Sequence, residues 1–360
     1  MSVGTRSIVE LESWVQLLQP DHAAIFNDMY TLVTTHGHIE PPPEMEDWIE
    51  STFGAHADVK SQDIVNVTNR WTLEGSLFNE LRARRPIAAK SAAASSVSLE
   101  GDGTDPFCRP LTGTPTDTFG RVQGERSVTA SNVAKYDGLH GVVIFDRHNP
   151  LEWDEASILD AFKTGLTWLQ MAHKAYPAAV YPFLMWNCLP RSGASLIHGH
   201  MQTTLGEGAA YARIEAWRRG AEGYAARTGG YYFDDLYSVH AGLGLARTLR
   251  NLRLLAHLTP IKEKECIVLA PAFDVELFTA VHKLITLYRD GLGVGAFNLA
   301  VYMPPLGLVS ESWEGFPVVV RLVDRGDPAG ATSDIGAMEL FAQPVVSFDP
   351  YRLAEALATL

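Results

Sequence analysis

The chain has 360 residues, 46% of them hydrophobic and 20% charged, with a formal net charge of -13. That is the profile of a soluble globular protein of two domains or one large duplicated one; it speaks against sequence-independent nucleic-acid binding, which needs a basic face, and leaves room for a small phosphorylated ligand held by a few arginines. Three cysteines without paired spacing, Cys108, Cys188 and Cys266, do not make a disulfide framework, and with neither a signal-like apolar run at the start nor a stretch of about 18 apolar residues anywhere the expectation is a cytoplasmic protein with no membrane and no nucleic acid among its partners.

Residues 7–35 show helical periodicity, with Ile8, Leu11, Trp14, Val15 and Leu18 on one stripe and Ile25, Met29 and Leu32 on the next. Pro20 divides them into two helices. "HGHIEPPPEMEDW" (36–48) is a proline-rich break, so its His36 and His38 read as turn residues. "DIVNVTNRWTLEGSLFNELRARRP" reads as one or two strands followed by an Arg-rich segment. Residues 90–106 are small and polar, a loop. A strand is expected at Gly141–Phe145, then an amphipathic helix capped by Asp154 with Ile158, Phe162, Leu166 and Leu169 on its stripe. Two further strands flank the Pro/Gly loop "PRSGAS", and the second carries "SLIHGHMQ" (195–202).

Residues 208–257 read as largely helical, with a Gly-rich interruption at 220–230. "ECIVLAPAF" is a strand, Asp274 caps a helix, "AFNLAVYMPP", "FPVVVRLVD" and "GAMELFAQPVVSF" are strands, and "DPYRLAEALATL" closes the chain as a helix. The order strand–helix–strand–strand near 140–205 recurs loosely near 265–345. The expected fold is therefore α+β, with two related halves, each a mainly antiparallel sheet packed by helices. The first half is 1–206, with a helical extension over about 1–50, and the second is 207–360.

His198, His200 and Gln202 would share one face of a strand. On their own they fit metal ligation, nucleophilic catalysis or a polar strand. The neighbouring Asn187, Gly193 and Ser195 favour a phosphate site, because small residues let a ligand approach the backbone. A histidine held there can attack phosphorus and form a phosphoramidate, splitting one substitution into two. A glutamine can hydrogen-bond oxygens where charge develops. "GLGVG" (291–295) follows a helix and is a poor dinucleotide fingerprint. Cys188, in an apolar strand, reads as a core residue.

The pattern N-x5-G-x-S-x-x-H-x-H-x-Q resembles the active-site signature of the galactose-1-phosphate uridylyltransferase branch of the histidine-triad (HIT) superfamily, which includes dinucleoside polyphosphate and sugar-nucleotide phosphorylases. The resemblance implies a HIT-like fold and assigns His200 as the nucleophile that becomes nucleotidylated. It places Gln202 on the nucleotidyl phosphate and Ser195 and Asn187 on the phosphates. "RARRP" is similar to that family's R-x-x-R-P segment, pointing to Arg82 and Arg85; clustered guanidinium groups suit phosphate. Asn132 and the run from His140 to His148 resemble its nucleotide-binding strand, with the spacing one residue short.

Two departures stand out. The family's structural zinc site often uses C-x-x-C, a histidine and the first histidine of HxHxQ; here the set is Asp105, Cys108, His148 and His198, still an acceptable tetrahedral zinc shell. Where the uridylyltransferases carry a second-half H-x-H and a further histidine, this chain has Ser312-Trp313-Glu314 and Tyr302. A second-half metal site is thus expected to be absent, and galactose 1-phosphate is not assigned. The expected function is a nucleotidyltransferase or phosphorylase acting on a nucleotide sugar or dinucleoside polyphosphate, with a phosphate-bearing acceptor. Its cofactor, if any, is a structural zinc, and relatives of this kind commonly form homodimers. The alternatives are a hydrolase of the same substrates or a non-catalytic nucleotide-binding relative.

Overall fold

The computed structural model describes residues 6–54, 59–79, 81–82, 99–100, 103–330 and 333–360. Most of the Arg-rich segment and of the polar loop after it, Arg85 included, lies outside these residues.

The chain begins with two short helices, α1 (Leu11–Gln16) and α2 (Pro20–Met29), the second carrying Pro20 at its first turn, where a missing N–H costs nothing. Strand β1 (Tyr30–His38) follows without a break. This corrects the expected helix. Leu32 fits the spacing of Ile25 and Met29, but the other residues from Tyr30 to Thr35 are aromatic or β-branched, which favours strand, and β1 pairs along its whole length with β2 (Ser61–Asn69). The N-terminal extension is therefore not all helix: after β1 it returns to helix at α3 (Glu46–Phe53). Strand β3 (Gly75–Phe78) pairs with β2.

A four-residue helical turn, α4 (Pro110–Gly113), precedes β4 (Ser127–Ser131) and β5 (Leu139–Phe145). Helix α5 (Glu155–Ala175) is capped by Asp154 as expected, and the cap is a capping box in which Asp154 and Ser157 satisfy each other's backbone N–H groups. Then come β6 (Ala179–Cys188), β7 (His200–Glu207), α6 (Ala212–Thr228) and α7 (Tyr232–Gly242). Helix α6 runs through Gly220 and Gly223 and stops only at Gly229, whose φ is 75°. Gly220 is needed for contact: a Cβ there would meet Trp71 O at 2.9 Å.

The expected helix to residue 257 gives way to a hairpin, β8 (Ala246–Leu249) and β9 (Leu252–Ala256). Its two-residue turn has Arg250 at φ 56°. Strand β10 (Cys266–Ala270), helix α8 (Val275–Thr286) capped by Asp274, β11 (Phe297–Tyr302) and β12 (Val318–Asp324) follow as expected. "GAMELFAQPVVSF" is not one strand: it forms helix α9 (Ala337–Phe341) and a two-residue strand β13 (Val345–Val346). Helix α10 (Pro350–Leu357) ends the chain.

The two halves share one sheet. Its nine strands run β4-β5-β7-β6-β11-β12-β10-β9-β8, all antiparallel, and β6 and β11 are the seam. The unit β4-β5-α5-β6-β7 is answered by β9-β10-α8-β11-β12, so the repeat read from element order is a structural one. Helices α5 and α8 lie on one face, with Phe162 stacked on Phe278 at 5.1 Å. Gly141 of β5 lets the α5 residue Trp168 reach the sheet, since a Cβ would come within 2.5 Å of the indole. A second sheet, β1-β2-β3-β13, takes β13 in parallel and so ties the C-terminal region to the start of the chain. No described helix is long and apolar enough to cross a membrane.

Candidate active site

The turn between β6 and β7 is fixed before any ligand arrives. Leu189 has φ 72°, a region non-glycine residues rarely occupy. Residues Pro190–Ser192 form a 3-10 turn and Gly193 follows at φ 97°. Ser192 Oγ donates to the carbonyls of Cys188 and Leu189. Across the seam, Asn298 Nδ2 donates to Asn187 Oδ1 at 2.7 Å and to Ser192 O at 2.9 Å. That bond sets the Asn187 amide with its Nδ2 turned away, unpaired among the described residues. Ser195 and Gly193 are exposed at the rim.

His200 opens strand β7, while His198 precedes it in a bend, so the three motif residues do not all lie on one strand. His200 is buried, with 6% exposure. Its Nδ1 lies 2.7 Å from His198 O. A carbonyl can only accept, so Nδ1 carries the proton and the lone pair sits on Nε2. Burial is the main influence lowering the imidazole's pKa below its ordinary value, and the nearby His198 adds to it. The neutral form, the one able to attack, is therefore favoured. The Phe107 ring stands edge-on at 5.2 Å.

Gln202 is held from the side. His140, on β5, is fully buried, and its Nδ1 accepts the Tyr136 backbone N–H at 3.0 Å. Its Nε2 must then carry the proton, and it donates to Gln202 Oε1 at 2.9 Å. Asn132 Oδ1 accepts from Ala134 N at 3.0 Å, which turns its Nδ2 toward the same Gln202 oxygen at 3.5 Å. The 3.2 Å approach of Asn132 Nδ2 to His140 Nε2 is thus a contact between two donors sharing one acceptor. With Oε1 occupied, the Gln202 Nε2 group is left without a partner among the described residues. His140 and Asn298 were not assigned roles from the sequence. Both are one strand away from a motif residue, and only strand register reveals that.

Behind His200, Cys108 Sγ lies 3.4 Å from His148 Nδ1 and 3.6 Å from His198 Nδ1. His198 Nε2 donates to Phe145 O at 2.9 Å, so its Nδ1 lone pair faces the sulfur. Among the described residues this is the one group of three or more His, Cys, Asp or Glu side chains with converging ligand atoms. Asp105 does not join it. Its Oδ1 accepts the Phe107 backbone N–H at 2.8 Å and caps the 3-10 turn Pro106–Cys108.

Arg82 is exposed just after β3, and no bond joins its side chain to these residues; Arg85 lies outside the described residues. In the second half, Arg321 on β12 shares the sheet face of Gln202, in register with it through Ala300 and Met185. Its Nε donates to Glu265 at 2.7 Å and its Nη1 to Glu74 at 2.6 Å. Burial pushes against ionising Glu74, but Arg321 holds it at about 2. Tyr302 is buried beneath the same guanidinium, 5.9 Å away. Ser312 offers its carbonyl to Arg218, which also bonds Glu215 and Glu222.

No family profile matches the chain, and no curated protein matches it. Solved structures do. An ADP-glucose phosphorylase from Arabidopsis thaliana, with bound ADP-glucose, is 15% identical over 82% of this chain and 98% of its own, with a TM-score of 0.63. A GalT-like protein from the same plant is 16% identical over 70% of this chain and 91% of its own, at 0.57. A uridylyltransferase is 14% identical over 82% of this chain and 98% of its own, at 0.56. The fold is α+β and HIT-like, in two halves.

Proposed function

We propose that the chain is a nucleotidyltransferase or phosphorylase that works through a nucleotidyl-His200 intermediate. The observation that carries this is the tautomer of His200 set by its one partner: Nδ1–H on the His198 carbonyl, with no partner on the Nε2 lone pair among the described residues, in a buried site. Nε2 attacks the α-phosphorus of a nucleoside diphosphate derivative. The bond from that phosphorus to the bridging oxygen breaks, and the phosphorylated partner leaves with the electron pair. The acceptor's phosphate oxygen then attacks the same phosphorus, and the P–Nε2 bond breaks to regenerate neutral His200. The unpaired Nε2 of Gln202 is suited to a non-bridging oxygen on the α-phosphate, where charge develops. Asn187 Nδ2, the Ser195 hydroxyl, the loop at Gly193 and Asn132 make up the rest of the phosphate and nucleotide cradle, and the R-x-x-R-P resemblance adds Arg82 and Arg85 as the source of positive charge. One named neighbour, the ADP-glucose phosphorylase, holds ADP-glucose, which supports a nucleotide sugar as substrate; a dinucleoside polyphosphate is the other substrate class that the motif resemblance implies.

The two halves, 1–206 and 207–360, divide the work: the first carries the nucleophile, and the second supports it through Asn298. Cys108, His148 and His198 would hold a structural zinc. In a tetrahedral zinc shell, sulfur and nitrogen ligands stand about 3.5 Å apart, given Zn–S near 2.3 Å and Zn–N near 2.0 Å, and the two sulfur–nitrogen distances here are 3.4 and 3.6 Å. Such an ion fixes the segment ahead of β7 and takes no part in the bond changes.

Incubation with ADP-glucose, and with a panel of other nucleoside diphosphate sugars and dinucleoside polyphosphates, should add one nucleoside monophosphate to His200, seen by intact mass and peptide mapping. His200→Ala should lose that adduct and at least about 10³-fold in turnover. Unchanged turnover in that variant would end the proposal. Products formed with and without inorganic phosphate separate phosphorolysis from hydrolysis, and nucleotide binding without any adduct or turnover would favour a non-catalytic relative.

A further inference from the structure

Gln202 can help a phosphate only if its N–H2 end, and not its oxygen, faces the nucleotide. An amide has no charge to set that choice, and a 180° flip exchanges donor for acceptor. Here the choice is made two bonds away. The Tyr136 backbone N–H occupies His140 Nδ1 at 3.0 Å, so His140 Nε2 is a donor, and Gln202 must answer with Oε1 at 2.9 Å. The residue is itself held: its imidazole is fully buried, the Tyr136 ring stacks on it at 4.5 Å and 25°, and the His140 backbone carbonyl accepts from Asn132 N at 2.9 Å and Lys135 Nζ at 3.2 Å. Residues His140 and Gln202 lie on one face, because Gln202 pairs with Val142 and Thr204 with His140; they are diagonal neighbours of the kind that long side chains bridge.

We infer that His140 is a positioning residue for nucleotidyl transfer: by donating to Gln202 Oε1 it fixes the amide so that its N–H2 end faces the α-phosphate at His200. This rests on the proposed nucleotidyl-His200 reading. His140 is fully buried with its Nε2 on Gln202 Oε1, so its side chain acts on the nucleotide through Gln202. That effect belongs in the rate of bond change at saturation, not in substrate binding.

The test is a double-mutant cycle, read as the rate at which the His200 adduct forms at saturating nucleotide, with the KM measured beside it. His140→Met keeps the volume but cannot donate; His140→Gln keeps a donor of similar reach. The methionine variant should slow adduct formation about tenfold to a hundredfold, as loss of an orienting partner does, with KM changed less than about threefold. The glutamine variant should stay within about threefold of the native chain. In a Gln202→Ala background, His140→Met should change the rate by less than about twofold, since coupled residues are not additive. Should the methionine variant not fold, His140→Asn, too short to reach Gln202, takes its place in the cycle. Equal losses in both backgrounds, or equal losses from the glutamine and methionine variants, would overturn the inference. A native chain that turns nucleotides over without adding mass to His200 overturns the covalent reading, and the role of His140 with it, in the first spectrum of the series.

Discussion

A buried imidazole becomes useful when something decides which nitrogen holds the proton. Three histidines near the site are settled by one fixed partner each: a carbonyl for His200 and for His198, and a backbone N–H for His140. The first two are local to "SLIHGHMQ", and their importance was legible because the motif is contiguous. His140 was legible only as the start of a run resembling a nucleotide-binding strand; its bond to Gln202, like the place of Asn298, depends on which strand lies beside which. Asp105 shows the reverse: the sequence put it in a ligand's place, while the fold spends its carboxylate on a helical cap. The residue-scale prediction concerns Cys108. Protein purified without chelator should hold about one zinc per chain by elemental analysis. Cys108→Ala should lose the metal and lower the thermal midpoint, since a bound metal adds its binding energy to the native state. A metal content unchanged in that variant would remove Cys108 from the site.

At the scale of elements, strands with strong β-branched runs and helices with a capping residue were readable, and weaker segments were not. Residues Ile25, Met29 and Leu32 fit a helix by spacing, yet β1 begins at Tyr30, because nine paired residues on β2 outweigh a coincidence of period. The hairpin β8–β9 was hidden by the helices before it. Close packing of α5 on β5 supplies a test. In Gly141→Ala the added methyl would sit 2.5 Å from the fully buried Trp168 ring. Overpacking of this kind costs about 1–3 kcal/mol, to be measured by denaturant unfolding. A variant as stable as the parent would show that Trp168 can move.

At the scale of the molecule, the repeat could be read from the order of elements, but the single shared sheet could not, because strand pairing across 100 residues leaves no local trace. Stability should depend on pH through histidines buried as neutral bases. In His240, Nδ1 donates to Leu236 O at 2.7 Å and Nε2 accepts from Leu258 N at 3.2 Å, so neither nitrogen has room for a second proton. Burial, with His257 nearby, drives its pKa from 6.5 to about 3. The unfolded chain binds that proton first, so the contribution is complete above pH 6.5 and is lost as pH falls toward 3. Each such histidine should cost up to about 1.4 kcal/mol per pH unit in that window. His240→Gln should flatten the dependence in urea titrations at several pH values; an unchanged slope would assign it elsewhere.

The seam between β6 and β11 makes the chain a tethered pair. Neither half has a finished surface of its own: cutting after residue 206 would leave one fragment ending its sheet at β6 and the other at β11, each an apolar strand with a row of open hydrogen-bonding groups. The covalent link between the halves thus acts as a local concentration that only one partner can supply. It commits each half to its own complement before it can meet a stranger's edge.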